Sequence, residues 1–109
     1  IRPTLYEAHH DIWPVHAKQA GEKSALVDVV GPVCESGDYL ALDRAMPLPK
    51  EGDLLAVMTA GAYGAVQACT YNTRLLVPEV LVKDKDWAII RPRESYESLI
   101  ARDQLPQWL

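Results

Sequence analysis

Apolar runs in this chain are short, and most end at a proline or glycine turn. Ala25-Leu26-Val27-Asp28-Val29-Val30 stops at Gly31-Pro32, and Tyr39-Leu40-Ala41-Leu42 leads on to Pro47, Pro49 and Gly52. Eight prolines and six glycines are spread over 109 residues. Proline removes a backbone donor and glycine favours turns, so long regular elements are interrupted at each. No helix-length segment links one apolar run to the next. Parallel strands need such crossovers, whereas antiparallel strands need only short turns. The expected fold is mainly β: an antiparallel β-barrel or sandwich of about six strands with two short helices.

Strands are expected over residues 7–15, 24–33, 40–48, 53–59, 75–82 and 87–91. The runs over 24–33 and 53–59 are almost continuously apolar, which predicts burial on both faces. Pro14 and Pro78 place their strands at an edge, an end or a bulge. Residues 19–23 read as a polar hairpin loop, Lys50-Glu51 as a turn tip, 71–74 as a polar turn and 83–86 as a charged tip. One short helix is expected over 60–69, where Gly61 and Gly64 bracket Ala62-Tyr63. Its first turn presents free N–H groups suited to a phosphate or another anion. The second is expected over 95–103, with Tyr96, Leu99 and Ile100 at helical spacing and Ser95 at its start. Leu105, Pro106, Trp108 and Leu109 form a tail expected to pack on something apolar. No repeat or linker divides the chain, so one domain is expected.

A net charge of -4 argues against nucleic acid, because no basic face is available to neutralise phosphates. No apolar run approaches the ~20 residues of a membrane helix. Arg2 and Pro3 lead into polar residues rather than a signal-peptide core, so the expected location is cytoplasmic. The chain begins without Met, and a piece of a longer protein is expected. Its two cysteines, Cys34 and Cys69, are not spaced as a redox pair. A disulfide between them has nothing to support it, and reduced thiols are the simpler reading. No cysteine or carboxylate completes a known metal spacing with His9, His10 and His16, which are taken as structural.

The segment richest in reactive groups is Gly31-Pro32-Val33-Cys34-Glu35-Ser36-Gly37-Asp38. It offers a thiol, two carboxylates and a hydroxyl between two strands, and such a loop can aim groups outward while the strands hold it. By itself it also fits a surface turn with an inert cysteine.

Two further segments accompany it: Arg2-Pro3-Thr4-Leu5-Tyr6, and Ala60-Gly61-Ala62-Tyr63-Gly64 followed by Tyr71-Asn72. Together, in this order, the three resemble the carboxy-terminal part of the bacterial diaminopimelate decarboxylases. These are pyridoxal-phosphate-dependent lyases of the fold shared with alanine racemase and ornithine decarboxylase. The resemblance runs from Ile1 to about Ile100. The Cys-Glu-Ser-Gly-Asp run has the form typical of this decarboxylase rather than of its ornithine relative.

The resemblance implies roles. Arg2 and Tyr6 would hold a substrate carboxylate, a task suited to a guanidinium fork and a phenol. Cys34 and Glu35 would cross a homodimer interface into the partner's site. Cys34 would donate a proton after carbon dioxide leaves, and Glu35 would grip the distal ammonium. Tyr63 would reach the cofactor phosphate or the adjoining substrate site. The implied reaction converts meso-2,6-diaminopimelate to L-lysine and carbon dioxide. A site built for both distal groups should reject ornithine, which lacks the second carboxylate.

The resemblance also implies what this chain lacks. Lys18, Lys23, Lys50, Lys83 and Lys85 all lie in polar turns or tips, where burial could not lower their pKa. The family's cofactor-bearing lysine and phosphate loop belong to an amino-terminal barrel domain outside this sequence. Residues 1–109 are thus expected to form the carboxy-terminal β domain, inactive alone. Trp13, Trp108 and Leu109 are expected on surfaces that the rest of the enzyme covers. The alternatives are a related decarboxylase acting on another diamino acid, and a non-catalytic β-barrel interaction module.

Overall fold

The computed structural model describes residues 1–16 and 23–109, so the loop expected at 19–23 falls almost wholly outside them. The chain divides into two compact units, Ile1–Gln67 and Ala68–Leu109.

The first unit opens with helix α1, Pro3–Tyr6. Sequence reasoning assigned no helix here. Pro3 occupies the first turn, where its missing N–H is no loss and its fixed φ is already helical. Glu7 ends the helix in a left-handed conformation, φ 53 and ψ 37. Strand β1, Ile12–Pro14, pairs antiparallel with β4, Leu55–Val57, with Ile12 opposite Val57. Both are shorter than the runs 7–15 and 53–59 predicted. Pro14 cannot extend the ladder as a donor, and β4 is only half-buried.

Strands β2, Ser24–Val30, and β3, Tyr39–Pro47, form an antiparallel pair. The register slips between Val27 and Val29, where Asp28 faces the extra residues Leu42 and Asp43. The Asp28 carboxylate accepts from the Asp43 N–H at 2.9 Å, and Asp43 takes φ 48. A second irregularity follows before Val30 pairs with Tyr39. Such bulges bend a strand pair and re-aim the loop beyond it. Burial of β2 on both faces, as predicted, is not observed: half-buried Ala25, Val27 and Val29 alternate with exposed Leu26, Asp28 and Val30. Leu26 and Val30 account for the near-continuous apolar run, and both are exposed, at 71% and 63%.

The core of this unit is small: Ile12, Ala41 and Met46, packed by Val27, Val29, Leu40, Leu55 and Val57. His10 is buried beside it at 6% exposure. The expected turn at Lys50-Glu51 is present, with Gly52 at φ 89. Helix α2, Gly61–Val66, closes the unit.

The second unit starts with a one-turn 3-10 helix, Tyr71–Thr73, at the expected polar turn. Strand β5, Glu79–Lys83, begins only after Pro78, not at Leu75 as the apolar run suggested. It turns at Asp84-Lys85 into β6, Asp86–Arg91, antiparallel. Helix α3, Tyr96–Ile100, is capped by Ser95, whose hydroxyl accepts from the Ser98 N–H at 3.1 Å. The Glu94 carboxylate accepts from the Leu76 N–H at 3.1 Å and pairs with Arg102, tying α3 to the segment before β5.

Three antiparallel strand pairs thus account for the described sheet, and no pair closes on another as a barrel. Among the described residues the helices number three plus the 3-10 turn, one more than the two expected. The tail does not pack as expected: Leu105, Trp108 and Leu109 are all more than 80% exposed. Trp13 is also exposed, at 56%. Among the described residues no helix is long and apolar enough to cross a membrane.

Candidate active-site residues

Four of the five residues singled out in the sequence meet in the first unit, linked by contacts from one to the next. The Arg2 guanidinium lies 3.2 Å from the Glu35 carboxylate. The Arg2 backbone N–H donates to the Tyr6 hydroxyl at 3.3 Å, which curls the residue before α1 back over the helix. The Tyr6 ring stacks on Tyr63, with centroids 5.3 Å apart at 29°. Cys34, the fifth, neighbours Glu35 in the loop between β2 and β3 and is exposed. Another surface can therefore approach this residue. Cys69 is exposed as well, and neither cysteine forms a disulfide.

Three elements position these groups. Helix α1 carries Arg2 at its cap and Tyr6 in its last position. Helix α2 carries Tyr63 as its third residue. With six residues and no side-chain cap, α2 is too short for the anion site predicted at its start; the place of Tyr63 is defined by its stack on Tyr6. The loop carrying Glu35 reaches α1: a Cβ built on Gly37 would be in ordinary van der Waals contact with both the Glu35 carboxylate, at 3.6 Å, and the Thr4 hydroxyl, at 3.7 Å.

His10 supports the cluster from below. Its Nδ1 lies 3.0 Å from the Met58 carbonyl, and its ring meets Tyr6 edge-on with centroids 6.4 Å apart. The structural role read for this histidine fits that placement. Arg44 on β3 donates to the His10 carbonyl at 2.9 Å and approaches His9 Nδ1 at 3.3 Å. Sequence reasoning gave Arg44 no role, and nothing local in the sequence would have supplied one.

The Arg2–Glu35 pair is half-exposed, at 44% and 35% for the two side chains. Pairs so wetted contribute little, about 0 to 1 kcal/mol. It can therefore open at small cost. Once it opens, Arg2 is free to take a carboxylate and Glu35 an ammonium, each independently of the other. The Tyr6 hydroxyl accepts from the Arg2 N–H and keeps its own proton to donate.

A cavity of about 400 Å³ lies elsewhere, against α1 and β3, lined by Thr4, Glu7, His9, Tyr39 and Arg44 among others. None of the five singled-out residues lines it. Among the described residues no cluster of three or more metal-ligating side chains occurs. Lys23, Lys50, Lys83 and Lys85 are all exposed, so none of these four fits the buried amine that would carry a pyridoxal cofactor.

Comparison with known proteins bears on what this cluster serves. Residues 1–61 match the family described as pyridoxal-dependent decarboxylase, C-terminal sheet domain. The match spans Arg2, Tyr6, Cys34 and Glu35 and ends two positions before Tyr63. The chain is 48% identical to the diaminopimelate decarboxylase of Archaeoglobus fulgidus, over all of this chain and 26% of that protein. It is 46% identical to the diaminopimelate decarboxylase of Zymomonas mobilis, over all of this chain and 25% of that protein. The crystal structure of the M. jannaschii diaminopimelate decarboxylase in co-complex with L-lysine superposes with a TM-score of 0.86. There the identity is 39%, covering 99% of this chain and 24% of the other. The chain spans about a quarter of the length of these relatives. Sequence and fold agree: the chain belongs to the pyridoxal-dependent decarboxylase family, as its C-terminal sheet domain.

Proposed function

We propose that this chain is the carboxy-terminal portion of a decarboxylase that converts meso-2,6-diaminopimelate to L-lysine and carbon dioxide. The observation that carries this is the meeting of Arg2, Tyr6, Tyr63 and Glu35 in one cluster beside an exposed Cys34. The distal end of diaminopimelate is a carboxylate and an ammonium on one carbon. It needs a cation with a forked donor and an anion a few ångströms apart, which Arg2 of one subunit and a Glu35 brought in by its partner would supply. A ligand without the distal carboxylate would leave Arg2 unmatched and be rejected.

Loss of carbon dioxide leaves an electron pair on the substrate α-carbon. A proton from the Cys34 thiol completes the product there. Pyridoxal phosphate is held mainly by the rest of the longer protein, on a barrel domain, since the described lysines of this chain do not suit it. Tyr63 borders the cofactor phosphate or the substrate, with its ring held by Tyr6.

The working form is a homodimer with shared sites. Docking of a second copy opens the Arg2–Glu35 pair, and Cys34 and Glu35 then serve the partner's pocket. The test is decarboxylation by the longer protein carrying this chain, with diaminopimelate and ornithine as substrates. Lysine formed from diaminopimelate alone supports the proposal, and turnover of ornithine instead would sink it. This chain alone, given cofactor, should show neither stoichiometric uptake nor turnover.

A further inference from the structure

The loop bearing Cys34 and Glu35 belongs to no regular element, yet it is tightly hydrogen-bonded, and most of those bonds run through one residue. The Asp38 carboxylate accepts from the Val33 N–H at 2.6 Å. The Asp38 carbonyl accepts from the Gly31 N–H at 2.7 Å, and its own N–H donates to the Glu35 carbonyl at 3.0 Å. These three bonds reach both sides of Cys34. The Glu35 N–H adds one more, to the Val33 carbonyl at 2.9 Å. The Asp38 carboxylate sits where a side chain on residue 31 would begin: a Cβ built on Gly31 overlaps both of its oxygens. Gly31 is therefore a steric requirement of Asp38, not merely a turn residue.

We propose that Asp38 is the positioning residue for Cys34 and Glu35, and that Gly31 is glycine to admit its carboxylate. Asp38 is too engaged with the loop backbone to act on a substrate itself. It fixes the direction of the thiol and of the neighbouring acid by replacing the ladder bonds that the bulged end of β2–β3 has lost. This rests on the decarboxylase reading above.

The test is a double-mutant cycle in the full-length enzyme, using Gly31→Ala, Asp38→Ala and their combination, with Asp38→Asn as the conservative variant. Asp38→Ala should lower kcat about tenfold or more and raise KM for diaminopimelate severalfold, because proton donor and ammonium ligand are both displaced. Loss of folded enzyme alone would lower kcat and leave KM unchanged. Asp38→Asn keeps an oxygen for the Val33 N–H and should recover most of the loss. Gly31→Ala should impair the wild type but add little to Asp38→Ala, since the overlap it creates is then gone. The rate of Cys34 alkylation should follow the same non-additive pattern. Additive effects, or Asp38→Ala with unchanged KM, would overturn this proposal alone. A wild-type protein that does not decarboxylate diaminopimelate would overturn the functional reading and this proposal with it.

Discussion

Arg2 and Glu35, 33 residues apart in the chain, face each other at 3.2 Å with opposite charge. Neither belongs to a regular element: one caps α1 and the other lies in the loop after β2. The contact joins the first and second of the three segments that stood out in the sequence, and the Tyr6–Tyr63 stack joins the first to the third. The pair also leaves these two charges compensated within the first unit.

Arg2→Ala should raise KM for diaminopimelate about 10- to 100-fold, the range for a charged hydrogen bond worth about 1.5–3 kcal/mol. Arg2→Lys should fall between, because it keeps the charge but loses the fork. Glu35→Gln should act mainly on KM too. Steady-state kinetics on the full-length enzyme checks all three; an unchanged KM in Arg2→Ala would remove the carboxylate role.

A shared site predicts complementation. Arg2→Ala and Cys34→Ala subunits, each impaired as homodimers at low diaminopimelate, should regain part of the wild-type activity there when mixed and reassociated. One pocket of each mixed dimer then holds both intact groups. No recovery would place Arg2 and Cys34 in the same subunit's pocket.

Cys34→Ala should lower kcat about 10²–10⁴-fold, the usual share of a positioned proton donor. Because the residue is exposed, stability should change by no more than about 0.5 kcal/mol. Paired activity and thermal-melt measurements check this. A melt that falls together with activity would make the thiol structural.

The β5–β6 hairpin carries Val80, Val82, Trp87 and Ile89 on one face and Leu81 and Ile90 on the other, all exposed. A two-stranded hairpin with both faces apolar and uncovered tends to self-associate. The chain expressed alone should bind a hydrophobic dye and sediment as concentration-dependent oligomers. Trp87→Lys with Ile89→Lys should reduce both signals. Unaltered sedimentation in that variant would move the sticky surface elsewhere.

Glu97 in the first turn of α3 accepts hydrogen bonds from its own backbone N–H and from the Ser95 side chain, which lower its pKa below the ordinary value of 4.5. A depressed folded-state pKa adds stability above the unfolded value, and that share fades as pH falls through the lower folded-state value. Amide protection over residues 95–100, taken relative to the intrinsic exchange rate at each pH, should therefore fall on acidification below about 4.5, and Glu97→Gln should abolish that part of the dependence. Ser95→Ala should loosen the same turn at neutral pH by about 1 kcal/mol.

The hairpins were legible because their information is local. Gly31-Pro32, Gly52 and the Lys83–Asp86 tip stand where the chain turns, and β2–β3 and β5–β6 pair close in sequence. The Ser95 cap was legible for the same reason. The start of β5 was misplaced because apolar character before Pro78 marks half-buried extended chain, not a paired strand. Burial of β2 was overestimated because a near-continuous apolar run says that a face will be covered, not by what.

The sequence by itself determined the antiparallel β character and the family, and it singled out the candidate site residues, since these reside in turn residues and in three short motifs. Only the tertiary structure decided that Ile12 pairs with Val57, that the register slips at Asp28, that Arg2 meets Glu35, and that Asp38 fills the space Gly31 leaves open. Those relations depend on where separate segments end up after each bulge and turn has added its own bend. No local pattern encodes that sum.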